Sequence, residues 1–350
     1  MKKIYQHIFL AASLLTSTAA WAQDPHLSQF FHAPMHLNPA LTGALDADLR
    51  FAGHYRSQWG TISTPFNTAA ASGEMSIHKG IEDDDQMGVG LFLMNDQAGD
   101  GNLRRTQAQL SYAYYKSLGA EGTTFLSLGV QAGFIQSNVD FSKFSYDNQW
   151  NGDVVDPSLS SGENVLDRPS FLVPDFSAGI GFQMAATDEV SLYVGGAMFH
   201  LNEPNMGMST GVQRLLNRKI HTYAAADIKI GESFTLSPRV IYARQGEHSE
   251  LNGGVSGRFQ FGRNAINDDP NAFLVGVMYR LDNNDAVYPM VRFDYGPLAF
   301  ALTYDLNLSK LAAASAAQGG PELAIIYKTN LNGTGTHNSS RKKELPCPKW

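Results

Sequence analysis

The residues of this sequence that could do chemistry are histidines and carboxylates, and they form no complete site. His26, His32 and His36 lie close together, and imidazoles at short spacing can bind zinc. Apart from Asp24, no acidic residue or cysteine stands at ligand spacing from them. The acidic run 82–85 could attract calcium, but it lacks the alternating pattern of a calcium loop. We therefore expect no metal and no cofactor, and we interpret both groups as polar residues of extended or turn segments.

Nucleotide-binding and hydrolase motifs are also incomplete. Phosphate-binding loops and the G-x-S-x-G elbow are absent, and two Gly-x-Gly fragments, at 88–90 and 179–181, lack the third glycine of the dinucleotide fingerprint. A hydrolase needs a serine and a histidine held together by a third polar group. His54, His200 and His221 are available, yet their spacing pairs none of them with a serine. We expect the chain not to be an enzyme.

The N-terminus has the pattern of a secretory signal peptide. Two lysines at 2–3 precede an apolar run at 8–15 and a small-x-small site at 20–22. We expect cleavage near Ala22 and a mature chain that begins at Gln23. No later stretch approaches the eighteen or so uncharged apolar residues that a spanning helix needs. The choice is therefore between a secreted soluble protein and an outer-membrane barrel.

The composition favours the barrel. Hydrophobic residues make up 43% of the chain and charged residues only 17%, and 33 glycines, 14 tyrosines and 20 phenylalanines suit short alternating strands with aromatic girdles. The net charge of -7 argues against nucleic acid as a partner. Cys347 is the single cysteine, so the chain can form no internal disulfide.

Apolar and polar residues alternate along the chain at the spacing of outer-membrane strands. In one clear example, Leu110 and Tyr112 alternate with Gln109 and Ser111. Single-chain bacterial barrels have even strand numbers, and about fourteen strands are predicted. Their predicted bounds are 48–59, 66–78, 86–94, 103–116, 122–136, 174–185, 189–199, 219–230, 233–243, 249–262, 271–281, 286–295, 297–307 and 321–330.

The sequence therefore predicts an all-β fold, a transmembrane antiparallel β-barrel over 48–330. An extended periplasmic lead-in, 23–47, precedes the barrel, and a polar periplasmic tail, 331–350, follows it. The longest predicted connections, 137–173, 200–218 and 308–320, alternate with short turns, as expected when both termini are periplasmic and the long loops face the cell exterior.

Charged residues on one face of the first two strands predict a polar cluster in the lumen. If these strands form a hairpin across 60–65, then Arg50, His54 and Arg56 share the interior face with Glu74. Glu74 should then lie opposite Arg50 or His54.

Residues near both ends of the mature chain resemble the PorP/SprF family, outer-membrane components of the type IX secretion system of gliding and related bacteria. Two groups lie in the lead-in, one at the end of the first strand and one in the tail. They are Ser28-Gln29-Phe30, then Asn38-Pro39-Ala40 with Gly43, then Tyr55-Arg56-x-Gln58-Trp59, and finally Cys347-Pro348.

The resemblance implies a protein that supports export or surface anchoring of a partner such as an adhesin. Its partners would be other secretion components, the exported protein and outer-membrane lipid. The alternative is an outer-membrane pore, or a transporter of hydrophobic substrates, built on a similar barrel. The lead-in and the tail could either present a protein-binding surface or plug the lumen.

Overall fold

The computed structural model describes residues 24–60, 64–77, 84–99, 101–118, 122–162, 168–263, 270–281, 285–309, 312–331 and 346. Fourteen antiparallel strands form a closed barrel in which each strand pairs with its neighbours in sequence and β1 pairs with β14. The strands are β1 Leu49–Gln58, β2 Phe66–Ile77, β3 Gln86–Ala98, β4 Leu103–Leu118, β5 Thr124–Asn138, β6 Ser170–Ala185, β7 Val190–Phe199, β8 Lys219–Ile230, β9 Phe234–Gln245, β10 His248–Arg263, β11 Pro270–Arg280, β12 Ala286–Tyr295, β13 Leu298–Asn307 and β14 Gln318–Thr329.

The predicted fold class, a closed barrel of fourteen antiparallel strands, is confirmed. Two strands, β6 and β14, begin three or more residues earlier than predicted. Residues 170–173 extend the β5–β6 ladder, and residues 318–320 extend β14 along β13 and past a register shift. Neither extension shows clear alternation of apolar and polar residues, although its backbone continues the pairing. The sequence pattern therefore could not indicate that the strands begin there.

The two faces of the wall follow the alternation of the sequence. In β4 the side chain of Leu110 is 68% exposed on the outside, whereas Gln107, Gln109 and Ser111 are buried on the inside. Apolar side chains that face outward belong in lipid, and polar ones that face inward line the lumen. Among the described residues, no helix is long and apolar enough to cross a membrane.

Residues 24–45 of the lead-in are here named the plug because they fill the lumen. The prediction that this segment is extended is wrong, because it contains three short helical turns at Phe30–His32, Pro34–Leu37 and Pro39–Leu41. Nearly all of its residues are buried against inward-facing side chains of the wall. Further helical turns lie in the long connections, at Phe141–Lys143, Asp147–Gln149 and Ala312–Ser315.

The plug runs the whole length of the lumen. Asp24 lies at the mouth that carries the long connections, where it contacts His200 and Lys219. At the opposite mouth, which carries the short turns, Asp46, the residue after the plug, contacts Lys328. The expectation that the whole lead-in lies on the same side as the tail is therefore wrong, because its first described residue is at the far mouth.

The path of the chain through the lumen predicts that residues at the two mouths differ in their accessibility to reagents on intact cells. In a Cys347→Ser background, a cysteine replacing the partly exposed His26 should react with a membrane-impermeant maleimide, as should one replacing Ser160 in the β5–β6 loop. A cysteine replacing Asp46, at the opposite mouth, should react only after lysis. Labelling of the Asp46→Cys variant but not the His26→Cys variant on intact cells would contradict this orientation.

Candidate functional site in the barrel lumen

The lower part of the plug lies on three inward-facing glycines of the wall. A Cβ atom on Gly129 would overlap the backbone of Ala40, and one on Gly179 would overlap the side-chain oxygen of Asn38. Gly88 gives the same close approach to the backbone next to Gly43. Because glycine has no side chain, the wall leaves a groove in which this turn of the plug fits.

Asn38 organises the turn that lies in this groove. Its side-chain oxygen accepts a hydrogen bond of 2.8 Å from the backbone N–H of Ala40, which caps the turn. Its Nδ2 donates to the carbonyl oxygens of Ile180 and Gly196, at 2.9 and 3.3 Å. Asn38 therefore joins the plug to the β6–β7 part of the wall.

Glu74 attaches the plug to the beginning of the barrel. Its Oε1 accepts hydrogen bonds from Nε and Nη2 of Arg50, at 2.8 and 2.5 Å, and its Oε2 accepts one of 2.7 Å from the backbone N–H of Gly43. Arg50 and Glu74 are directly opposite each other in the β1–β2 ladder, and both side chains are buried. The carboxylate thus holds an arginine of the wall and a turn of the plug at once.

A second carboxylate cluster holds the upper part of the plug. Glu322 accepts hydrogen bonds from the backbone N–H groups of Ser28 and Gln29, at 2.6 and 3.0 Å, and Asp305 accepts one of 2.7 Å from the hydroxyl of Ser28. Arg56 donates to Asp305 at 2.7 Å and also to the carbonyl oxygen of His26. Arg56 therefore lies against both buried carboxylates, and Arg280 adds a second positive charge 3.5 Å from Asp305.

The predicted lumen cluster is in fact two separate sites. Arg50 and Glu74 form one, and Arg56 belongs to the other, six residues further along β1. His54 lies between them, buried, with alanines as its ladder partners on both sides. The sequence placed the four residues on one face but did not connect Arg56 with Asp305, which lies 249 residues further along the chain, or with Glu322.

At the long-loop mouth, Asp24 is held by side chains from several parts of the wall. Its carboxylate contacts His200 Nε2 at 2.5 Å, Arg105 Nη1 at 3.3 Å and Lys219 Nζ at 3.8 Å. The other ring nitrogen of His200 lies 2.8 Å from Asp175. Burial lowers the pKa of His200, but the two carboxylates outweigh it and raise the pKa to about 9. Burial raises the pKa of Asp24, but the positive charges of His200, Lys219 and Arg105 outweigh it and lower that pKa well below the usual value.

This arrangement predicts that the attachment of Asp24 weakens in alkaline solution. A histidine with a raised pKa stabilises the folded state fully below its unfolded pKa of about 6.5, and that stabilisation is lost as pH rises through about 9. We expect the free energy of unfolding of the purified barrel to fall between pH 7 and pH 9.5 by at most about 3 kcal/mol, and its unfolding midpoint to fall with it. The charged groups that face His200 are Asp24, Asp175 and, through Asp24, Lys219 and Arg105.

The His200→Gln variant is the control for this prediction. It keeps a side chain that can hydrogen-bond to both carboxylates but cannot titrate, so its unfolding midpoint should change less over the same pH range. Equal slopes for the variant and the natural protein would contradict the assignment to His200.

The remaining residues of the motifs that resemble the family, where the structure describes them, lie at several different positions in the barrel. Tyr55 faces outward and donates a hydrogen bond of 3.1 Å to Asn67. Gln58 ends β1, and the ring of Trp59 packs edge-on against Phe66, with centroids 5.1 Å apart. Phe30 belongs to the buried core of the plug. Cys347 and Pro348 lie outside the described residues.

The three histidines of the lead-in have separate contacts inside the plug. His32 Nδ1 lies 2.9 Å from the side-chain oxygen of Gln29, and the ring of His36 stacks on Phe92. His26 lies 3.9 Å from Glu250. Within the described ranges, no three metal-binding side chains come together.

The acidic run is also only partly a solvated turn. Asp85 is buried and accepts hydrogen bonds from Tyr114, from Lys116 at 3.3 Å and from the backbone of Ser117 at 3.0 Å. It therefore fixes the connection before β3 to the end of β4. Residues 82 and 83 lie outside the described residues.

The geometry as a whole is that of a filled barrel. A cavity of about 320 Å³ remains at the long-loop mouth, beside Asp24, His26 and Trp59. Below it, buried side chains of the plug meet the inward faces of the strands. Such a lumen offers attachment points for a folded segment, and those attachment points coincide with the motif residues of the lead-in and of β1.

Comparison with known proteins finds one matching family and several solved barrel structures that are similar to this chain. A family model described as "Type IX secretion system membrane protein PorP/SprF" matches residues 19–327. No curated protein matches the sequence. Similar solved structures include the CymD monoaromatic hydrocarbon channel, at 10% identity and a TM-score of 0.47, and the Pseudomonas putida toluene transporter TodX, at 10% and 0.48.

Each of these two alignments covers 85% of this chain and 93% of the other. A mutant of the Rh. blastica porin is similar at 9% identity and a TM-score of 0.32, over 80% of this chain and 98% of the porin. At such identities and scores, the likeness carries no argument about what the chain does.

Proposed function

The chain belongs to the PorP/SprF family of type IX secretion system membrane proteins, and from this premise we propose that it supports the export or surface anchoring of a partner protein, such as an adhesin. In this role the barrel lies in the outer membrane after cleavage of the signal peptide near Ala22. It anchors its partner and conducts no solutes, and it carries out no catalytic step.

The observation that carries this proposal is the plug. A barrel of fourteen strands approaches the size at which the lumen becomes an aqueous channel unless something fills it. Here the plug occupies the lumen. The ion pair between Asp24 and His200 holds it at the long-loop mouth, and further down its backbone N–H groups donate hydrogen bonds to the buried carboxylates of Glu322 and Glu74. A lumen closed in this way supports a role in which the outer surfaces of the protein, rather than a pathway through it, meet the partner.

Other secretion components are the proposed partners on the short-turn side. There the plug ends beside the beginning of the tail: the backbone N–H of Leu331 donates to Asp48 at 2.9 Å, and that of Asp48 donates to Asn330 at 3.0 Å. The end of the plug and the start of the tail therefore form one surface, on which a periplasmic component could bind both.

Deletion of the gene tests the proposal. We expect one surface protein to be lost from the cell surface while uptake of small solutes stays unchanged. Removal of residues 337–350 alone should reproduce much of the defect with the barrel still folded, as judged by its heat-modifiable migration. Normal display of every surface protein in the deletion strain, together with a steadily open channel in the purified protein, would favour the transporter.

A further inference from the structure

The connection between β5 and β6 presents apolar side chains to solvent beyond the mouth of the barrel. Trp150 is 56% exposed and Val154 is 59% exposed, and Val155 and Leu159 are exposed beside them. They belong to a connection of about thirty residues rather than to the outer wall of the barrel. These four residues are here named the loop tip.

The loop tip is a built structure. Trp150 and Val155 pair in an antiparallel bridge, and the backbone N–H of Asn151 donates to Val154 at 3.1 Å. Gln149 is buried beneath them, and its side chain donates to the carbonyl oxygen of Leu159 at 3.2 Å. Because these bonds fix the backbone, the apolar side chains stand in a defined arrangement and cannot collapse on one another.

The base of the connection is fixed to the barrel. The ring of Phe144 lies over Gly101, where a Cβ atom would overlap it, and the backbone N–H of Asp140 donates to the carbonyl oxygen of Gly101 at 3.0 Å. The loop tip is therefore held in a constant position relative to the β3–β4 connection. A rigid exposed apolar cluster is typical of a protein-binding site.

The charges around the loop tip indicate the chemistry of the partner. Residues 139–162 contain four aspartates, Asp140, Asp147, Asp153 and Asp156, and one cation, Lys143. An acidic rim around an apolar centre is complementary to an apolar surface bordered by lysine or arginine. We propose that the loop tip binds a folded domain of the exported partner protein, through an apolar patch with a basic rim. This inference rests on the proposed function.

Other occupants fit the charges less well. If the loop tips of two copies of this chain met across a two-fold axis, each acidic rim would face the other, and like charges across an interface disfavour association. Anionic lipid headgroups would be repelled by the same four aspartates. A basic protein surface meets neither obstacle.

The test uses the surface protein that the deletion strain fails to display. Complementing that strain with the Trp150→Ser/Val154→Ser variant should lower display of this protein at least about tenfold, because an exposed tryptophan at the centre of a contact typically contributes most of its affinity. The control is Leu215→Ser, which changes an equally exposed apolar residue in the β7–β8 connection. Normal display with the double variant, or an equal loss with the control, would overturn the proposal.

A second measurement separates this proposal from the proposed function. A photo-crosslinking residue replaces Val154 in one strain and, as the control, Leu215 in another, and both are irradiated as intact cells. The crosslinked protein is identified. Its isolated domain is then titrated onto the purified barrel. We expect one product specific to position 154, and binding that weakens as salt concentration rises. If the deletion strain displays every surface protein but this product forms, then the proposed function fails and the docking site stands. If no product is specific to position 154, the docking proposal fails.

Discussion

Removal of the plug is expected to convert a closed barrel into an open channel. In a chain that lacks residues 24–44, Gln23 is joined directly to Leu45, so β1 and the closure of the barrel are kept while the helical turns are gone. The lumen would then be lined by inward-facing side chains that are largely polar, such as Gln107, Gln109 and Ser111. Water fills lumens of this kind in barrels of sixteen strands or more, and fourteen strands approach that size.

Single-channel recording in planar bilayers measures this effect. The natural protein should show no steady conductance, and the deletion variant should conduct continuously. A matched control removes a similar amount of chain, residues 146–161, from the β5–β6 connection, where the lumen is not affected. A natural protein that already conducts steadily, or a deletion variant that stays closed, would show that the plug does not close the barrel.

The strands could be predicted from the sequence because their pattern is local. Each strand carries its own alternation, as Leu110 and Tyr112 do against Gln109 and Ser111, and lipid outside and a polar lumen inside require that alternation whatever the rest of the chain does. Turn residues then mark where the strands end. Because fourteen local patterns together predict the fold, the predicted fold class stays correct when one strand boundary is wrong by several residues.

The plug could not be predicted from such patterns. It is too short for helical periodicity. Proline favours an extended residue before it, yet Pro34 and Pro39 stand at the first positions of helical turns, where the missing N–H costs nothing. Its burial depends on residues distant in sequence. Ser28 reaches Asp305 and Asp24 reaches His200, contacts that no local pattern reports. The sequence did offer one kind of signal, since Asp305 and Glu322 are the single carboxylates of β13 and β14.

The Arg50–Glu74 pair is the part of the site that the sequence did bring together, and it leads to the largest expected loss of stability. In the Glu74→Ala variant, the buried guanidinium of Arg50 loses the carboxylate that accepts hydrogen bonds from its Nε and Nη2. The backbone N–H of Gly43 also loses its acceptor. Removal of one partner from a buried ion pair costs about 3–5 kcal/mol, because a charge is left buried without compensation. The control, Asp153→Ala, changes an exposed loop carboxylate and should cost less than about 0.5 kcal/mol.

The temperature at which heat-modifiable migration is lost, or a urea midpoint, measures the difference between these two variants. The Arg50→Met/Glu74→Leu double variant tests the cause, because it removes both charges and leaves apolar groups of similar size, which is often nearly neutral. Stability should therefore return in large part, although the bond to Gly43 stays lost and the plug keeps one weaker attachment. If the double variant were as unstable as Glu74→Ala, the loss would come from the plug contact and not from the buried arginine. Equal midpoints for Glu74→Ala and Asp153→Ala would contradict both explanations, since neither the charge nor the plug would then depend on Glu74.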